Sequence, residues 1–119
     1  GDMTRLVLFD QSAANVGGNL KTVSMQAAKT EIAELIDNDW ALCGNLSERQ
    51  RQFLFDERAD KVLSAAVVPL VKGNSLGLLA IGSFEANYFH SSMGTLFLNY
   101  IGEILSRVLA RMLASTPAQ

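Results

Sequence analysis

Residues 62–68 (VLSAAVV) form an almost unbroken apolar run. At that length such a run reads as a strand buried on both faces of a sheet. Pro69 is expected to limit its far end, because proline cannot donate to a ladder. Lys72-Gly73-Asn74-Ser75 is a turn by composition, and residues 76–83 (LGLLAIGS) return as a second apolar strand. The two predict an antiparallel hairpin at the centre of a sheet.

The rest of the chain supplies shorter elements. Residues 4–9 (TRLVLF) read as a strand, and residues 10–19, with Gly17-Gly18, as a loop. Residues 20–26 alternate and predict a half-exposed strand forming an antiparallel hairpin with the first. Thr30 can cap a short helix with Glu31 and Glu34 in its first turn and Ile32, Leu35 and Ile36 on its apolar stripe. Asp37-Asn38-Asp39 ends it, and residues 40–43 (WALC) suit a brief buried strand. Ser47-Glu48-Arg49-Gln50 fits a capping box, in which hydroxyl and amide side chains satisfy each other's exposed backbone N–H groups, so a second helix should run from Ser47 to about Phe55.

The last helix is expected from Ser91 or Ser92 to about Leu113. Its apolar positions cover well over half the circumference, whereas a helix lying on one sheet needs a stripe of little more than about 100°. A partner subunit or another helix must cover the excess. The expected contact residues are Phe97, Tyr100, Ile101, Ile104, Leu105, Val108 and Met112, in a homodimer. Glu103 and Arg107 form a favourable i,i+4 pair.

With 119 residues, 49% of them hydrophobic, the chain has the size of one domain with one core. That domain is expected over residues 4–113. Residues 1–3 read as the remnant of a cleaved tag at the start of a fragment, and residues 114–119 as a C-terminal tail. Ten basic and twelve acidic residues give a net charge of −2, with the cations scattered; direct nucleic-acid binding is not expected. No apolar run approaches the roughly 20 residues of a membrane helix. A single cysteine and no signal-like opening point to the cytoplasm.

The order strand, strand, two short helices, buried hairpin, long helix resembles a GAF domain. Val68-Pro69-Leu70 followed by Leu76-Gly77-Leu78-Leu79 is similar to a pair of GAF strands. Leu79-Ala80-Ile81-Gly82-Ser83, then Phe89-His90-Ser91-Ser92-Met93-Gly94-Thr95 and Phe97-Leu98-Asn99-Tyr100-Ile101-Gly102-Glu103, is similar to the bacterial domain-of-unknown-function family 484, a GAF-like group. The resemblance runs from Thr4 to Leu113 and is densest after Ala65. It implies an α+β, GAF-like (profilin-like) fold with a central antiparallel sheet of five or six strands flanked by helices, in a cytoplasmic bacterial protein with no established activity. The family's usual helical segment ahead of the first strand has no counterpart in this chain, and Ser91 stands where proline is common. The acidic signature of cyclic-nucleotide GAF domains does not occur.

No catalytic set emerges. Cys43 could be a reactive thiol, but sulfoxide reduction of the kind known in one GAF-fold class needs a second, resolving thiol; a buried structural cysteine is the simpler reading. His90 has no nucleophile or carboxylate placed beside it by spacing, and suits a capping role before the helix. The acids Asp37, Asp39, Asp56, Glu57 and Asp60 lack the company of a metal or calcium site. Gly77, Gly82, Gly94 and Gly102 make no phosphate loop and read as close-packing points. In a GAF fold the middle helices roof a cavity, so Trp40, Cys43, Arg49, Phe53, Phe55 and Ser64 are the candidate ligand residues. Core filling by the aromatics and surface roles for Arg49 and Arg51 are the competing readings, and Ser64, Ala65 and Ala66 leave room for a cavity. The expected function is a noncatalytic regulatory or sensor domain that binds a small molecule and dimerises through its last helix. The alternative is an interaction or scaffold domain with a self-filled cavity, and the third is a thiol-dependent enzyme. No cofactor is identified.

Overall fold

The computed structural model describes residues 2–11 and 19–114. Its elements are β1 (Met3–Phe9), β2 (Leu20–Val23), α1 (Met25–Ile36), β3 (Leu42–Gly44), α2 (Glu48–Phe55), a 3-10 turn (Asp56–Lys61), β4 (Ser64–Lys72), β5 (Asn74–Ser83) and α3 (Leu96–Ala114). The strands form one five-stranded sheet in the order β2-β1-β5-β4-β3. The protein is thus α+β, an open sheet flanked by three helices, as the sequence leads one to expect. The loop expected over residues 10–19 lies largely outside the described residues, as do Gly1 and most of the tail.

The buried hairpin is present: β4 pairs antiparallel with β5 from Ser64↔Ser83 to Lys72↔Asn74, and both strands lie inside the sheet. The turn is tight, and Gly73 takes a φ of +76°, which a side chain would resist. Pro69 does not end β4, which continues to Lys72. β3 pairs only with Ala65–Val67, so beyond Val67 one edge of β4 has no strand beside it and proline removes no ladder bond there.

Pleating divides the core in two. One sheet face carries Val7, Phe9, Ala65, Val67, Leu78 and Ala80 against Ala28, Ile32 and Leu35 of α1 and Leu54 and Phe55 of α2. The other carries Leu8 and Leu70, with Leu6, Leu20, Leu76 and Leu79, against Leu105 and Leu109 of α3.

Several boundaries differ from the sequence reading. β2 runs parallel to β1, with Leu6↔Leu20 through Phe9↔Val23, so the sheet is mixed and the expected first hairpin is not formed. The parallel placement brings the ends of both strands together. There the Asp10 N–H donates to the Val23 carbonyl (2.8 Å) and Asp10 Oδ1 accepts the Met25 N–H (2.8 Å). These bonds start α1 at Met25, with Ser24 as its cap accepting the Ala27 N–H (3.0 Å), rather than at Thr30. Thr30 instead donates its hydroxyl to the Gln26 carbonyl inside a helix that kinks at Ile32, the bend that such back-bonding favours. The capping box at Ser47 forms with both bonds in place. α3 begins at Leu96, not at Ser91 or Ser92: the Met93 N–H closes a turn onto the His90 carbonyl (3.0 Å), and Gly94 is a poor helix former.

Candidate functional site

The six residues singled out as ligand contacts, Cys43 included, go to five different places. Phe55 is fully buried in the core beneath α2, its ring lying over Gly82, where a Cβ would come within 3.2 Å of Cζ. Ser64, 1% exposed, donates its hydroxyl to the Glu85 carbonyl (2.7 Å) and accepts the Phe89 N–H (3.1 Å). It therefore anchors the segment after β5 instead of opening a cavity. Arg49 and Phe53 share a shallow depression with Lys21, Glu31 and Asp56; Arg49 Nε lies 3.4 Å from a Glu31 carboxylate oxygen, and the Lys21 ammonium sits 4.7 Å above the Phe53 ring. Trp40 is 65% exposed rather than buried, because it precedes the three-residue edge strand β3. It lines a groove of about 490 Å³ with Pro69, Val71, Leu96 and Tyr100.

Cys43 is half-buried on β3 opposite Ala66, and burial raises its thiol pKa above the ordinary value, so the thiolate is disfavoured at neutral pH. Exposed His90 shares a bond of 2.9 Å between Nδ1 and the Ser92 hydroxyl, a turn contact next to α3. Among the described residues no group of His, Cys, Asp and Glu is gathered for a metal ion.

One polar cluster escaped the sequence reading. The Arg5 guanidinium, on buried β1, donates to Asp56 Oδ2 at 2.7 Å, and Lys21 on β2 donates to Asp56 Oδ1 at 3.0 Å and to the Phe53 carbonyl. Asp56 stands at the end of α2 with φ of +51°, so two strands clamp the helix end through one carboxylate. The signal was present: Arg5 shares a strand face with Val7 and Phe9, and a buried arginine demands a partner. Burial raises the Asp56 pKa, but the bonds and charges of Arg5 and Lys21 outweigh it and hold the carboxyl below the usual range. A lowered carboxylate pKa stabilises the fold above the unfolded pKa, and this contribution is lost as the pH falls through the folded value. Asp56 is 42% exposed on its side chain, so Asp56→Asn is expected to lower stability at pH 7 by only about 1 kcal/mol. Denaturant melts from pH 7 to pH 2 should show this gap closing below about pH 4; a gap that stays constant would sever Asp56 from the acid dependence.

α3 carries the largest unexplained surface. Toward the sheet, Gly102, Ser106 and Leu109 are buried. Ser106 donates its hydroxyl to the Gly102 carbonyl (2.7 Å) and accepts the Val71 N–H (2.9 Å), sealing the β4 edge that β3 leaves open. Away from the sheet, Leu96, Phe97, Tyr100, Ile104, Val108 and Met112 are exposed by 42% or more. Of the expected contact residues, only Ile101 and Leu105 are partly buried, Leu105 against the sheet. Glu103 and Arg107, 3.7 Å apart, flank the stripe. α3 therefore has two apolar faces, one used by its own domain and one turned outward.

The structure is that of an α+β domain whose last helix turns an apolar face outward. Residues 2–114 match the family described as Protein of unknown function, DUF484, and the chain belongs to that family. No curated protein matches it. No helix among the described residues is long and apolar enough to cross a membrane.

Proposed function

We propose that this chain is a noncatalytic, GAF-like regulatory module of the bacterial cytoplasm that acts as a homodimer joined through α3. The outward apolar face of α3 carries this reading, since a contiguous patch of six large side chains exceeds what a soluble monomer ordinarily leaves in water. A five-stranded sheet with α1 and α2 on one face and α3 on the other supports the GAF-like likeness. The space where a GAF-like sensor would hold a small molecule is occupied by Ile32, Leu54, Phe55 and Val62, each at most 1% exposed. That filling favours an interaction module over a small-molecule sensor, and the raised pKa of Cys43 and the isolation of His90 weigh against a thiol-dependent enzyme.

Analytical ultracentrifugation across the micromolar range tests the assembly. The chain is expected to sediment at about twice its 12.9 kDa mass. Ile104→Glu, which sets a charge in the middle of the contact, should weaken association at least about 100-fold, the loss of a central hot spot, while its circular dichroism stays that of the parent. A parent chain that sediments as a monomer throughout would overturn the proposal.

A further inference from the structure

The exposed residues of α3 are not scattered over its outer face. Leu96, Tyr100, Ile104, Val108 and Met112 recur at every fourth position. At about 100° per residue they form one oblique i±4n ridge. The ridge is symmetric about Ile104, with Tyr100 and Val108 as its inner pair and Leu96 and Met112 as its outer pair. All the charge of the strip lies on one flank, as Glu103, Arg107 and Arg111, whereas the opposite flank is Leu105 and Leu109, which pack on the helix's own sheet.

We infer that the occupant of this face is a second copy of the chain whose α3 crosses it in the antiparallel sense, on a two-fold axis passing beside Ile104. The inference rests on the proposed self-association and fixes its geometry. A two-fold contact must be self-complementary, each residue meeting its counterpart in both directions. In the antiparallel sense Ile104 meets itself and Tyr100 meets Val108 of the partner subunit. The charged flank then faces its own copy, so Glu103 comes opposite Arg107 of the partner subunit. A parallel pair would instead set the charged flank against the leucine flank, leaving those charges desolvated without counter-ions. Two i±4n ridges interlock at a crossing of about 50°, the commonest class of helix packing. On typical side-chain areas the exposed ridge and Phe97 offer roughly 600 Å² per copy, close to the ~800 Å² each partner contributes to a stable interface.

Disulfide trapping in a Cys43→Ser background separates the orientation from the association. Ile104→Cys should cross-link to itself under mild oxidation. Tyr100→Cys and Val108→Cys should each cross-link poorly alone, but form a disulfide in high yield when the two variants are mixed, since only the antiparallel pair brings these positions within the 4.4–6.8 Å Cα separation a disulfide needs. Strong self-linking of Tyr100→Cys and of Val108→Cys, with no gain on mixing, would overturn the antiparallel geometry while leaving the dimer intact. No cross-linking at Ile104, with a monomeric mass in the centrifuge, would overturn both and assign the face to a different partner.

Discussion

Phe55→Ala is expected to lower the stability of the domain by about 3–5 kcal/mol, a large share of the 5–15 kcal/mol that holds a typical domain together. Phe55 is the largest of the fully buried side chains and lies in the core between the sheet and α1/α2. Its ring fills the space above Gly82 beside Val62, so the truncation removes apolar burial and leaves a hole that two rigid strands cannot collapse to close. The residue also precedes Asp56, whose carboxylate ties the end of α2 to Arg5 and Lys21, so a loosened position 55 frees that clamp as well. Denaturant melts at fixed protein concentration measure the effect, fixed because a self-associating chain gains stability with concentration. The midpoint should fall with an unchanged slope, and Phe55→Leu should lose markedly less. A loss under about 1 kcal/mol for Phe55→Ala would mean that this core holds space for another occupant, which would return support to the small-molecule reading.

What could be read from the sequence was what is encoded locally. The β4–β5 hairpin announces itself through two apolar runs around a Gly-Asn turn, and the Ser47 capping box is complete within four residues. The outward face of α3 was legible for a similar reason: helical periodicity counts apolar positions without knowing what covers them. The failures are nonlocal. Whether residues 20–23 pair parallel or antiparallel with β1 depends on where the connecting chain returns, and alternation is the same in both cases. Trp40 is expected inside because it is apolar, yet its position just before a three-residue edge strand leaves it about two thirds exposed. The candidate ligand residues rest on the GAF likeness, which expects the middle helices to roof a cavity; pleating separates neighbours such as Ser64 and Ala65, and α2 buries Phe55 while leaving Arg49 at the surface. The Asp56 clamp joins residues 51 and 35 positions apart, and only the oddity of an arginine in an apolar strand hints at it.

Gly77→Ala is expected to be nearly as damaging, at about 3 kcal/mol or more, although it adds a single methyl group. A Cβ at Gly77 would collide with the Val7 carbonyl oxygen and lie 3.0 Å from the Val7 carbonyl carbon and 3.1 Å from Leu8 Cα. All three are backbone atoms of β1, which cannot rotate away as a side-chain tip can. β1 is also held on its far side by β2, so relief requires prying apart β1 and β5, two adjacent interior strands of the sheet. Leu8 and Leu70 flank Gly77 on the neighbouring strands and belong to the core that seats Leu109 of α3. Strand separation at this point therefore also loosens the helix that carries the proposed dimer face. Gly94 provides the internal control, because it was read from the sequence as another close-packing glycine but has no atom within 4 Å of its Cβ position. Gly94→Ala should leave stability unchanged or raise it by up to about 1 kcal/mol by restricting the unfolded chain. The pair can be compared by thermal and denaturant melts, with hydrogen exchange across β1 and β5 locating the damage. If Gly77→Ala melts with Gly94→Ala, the approach of β5 to Val7 is not the constraint that fixes glycine at this position.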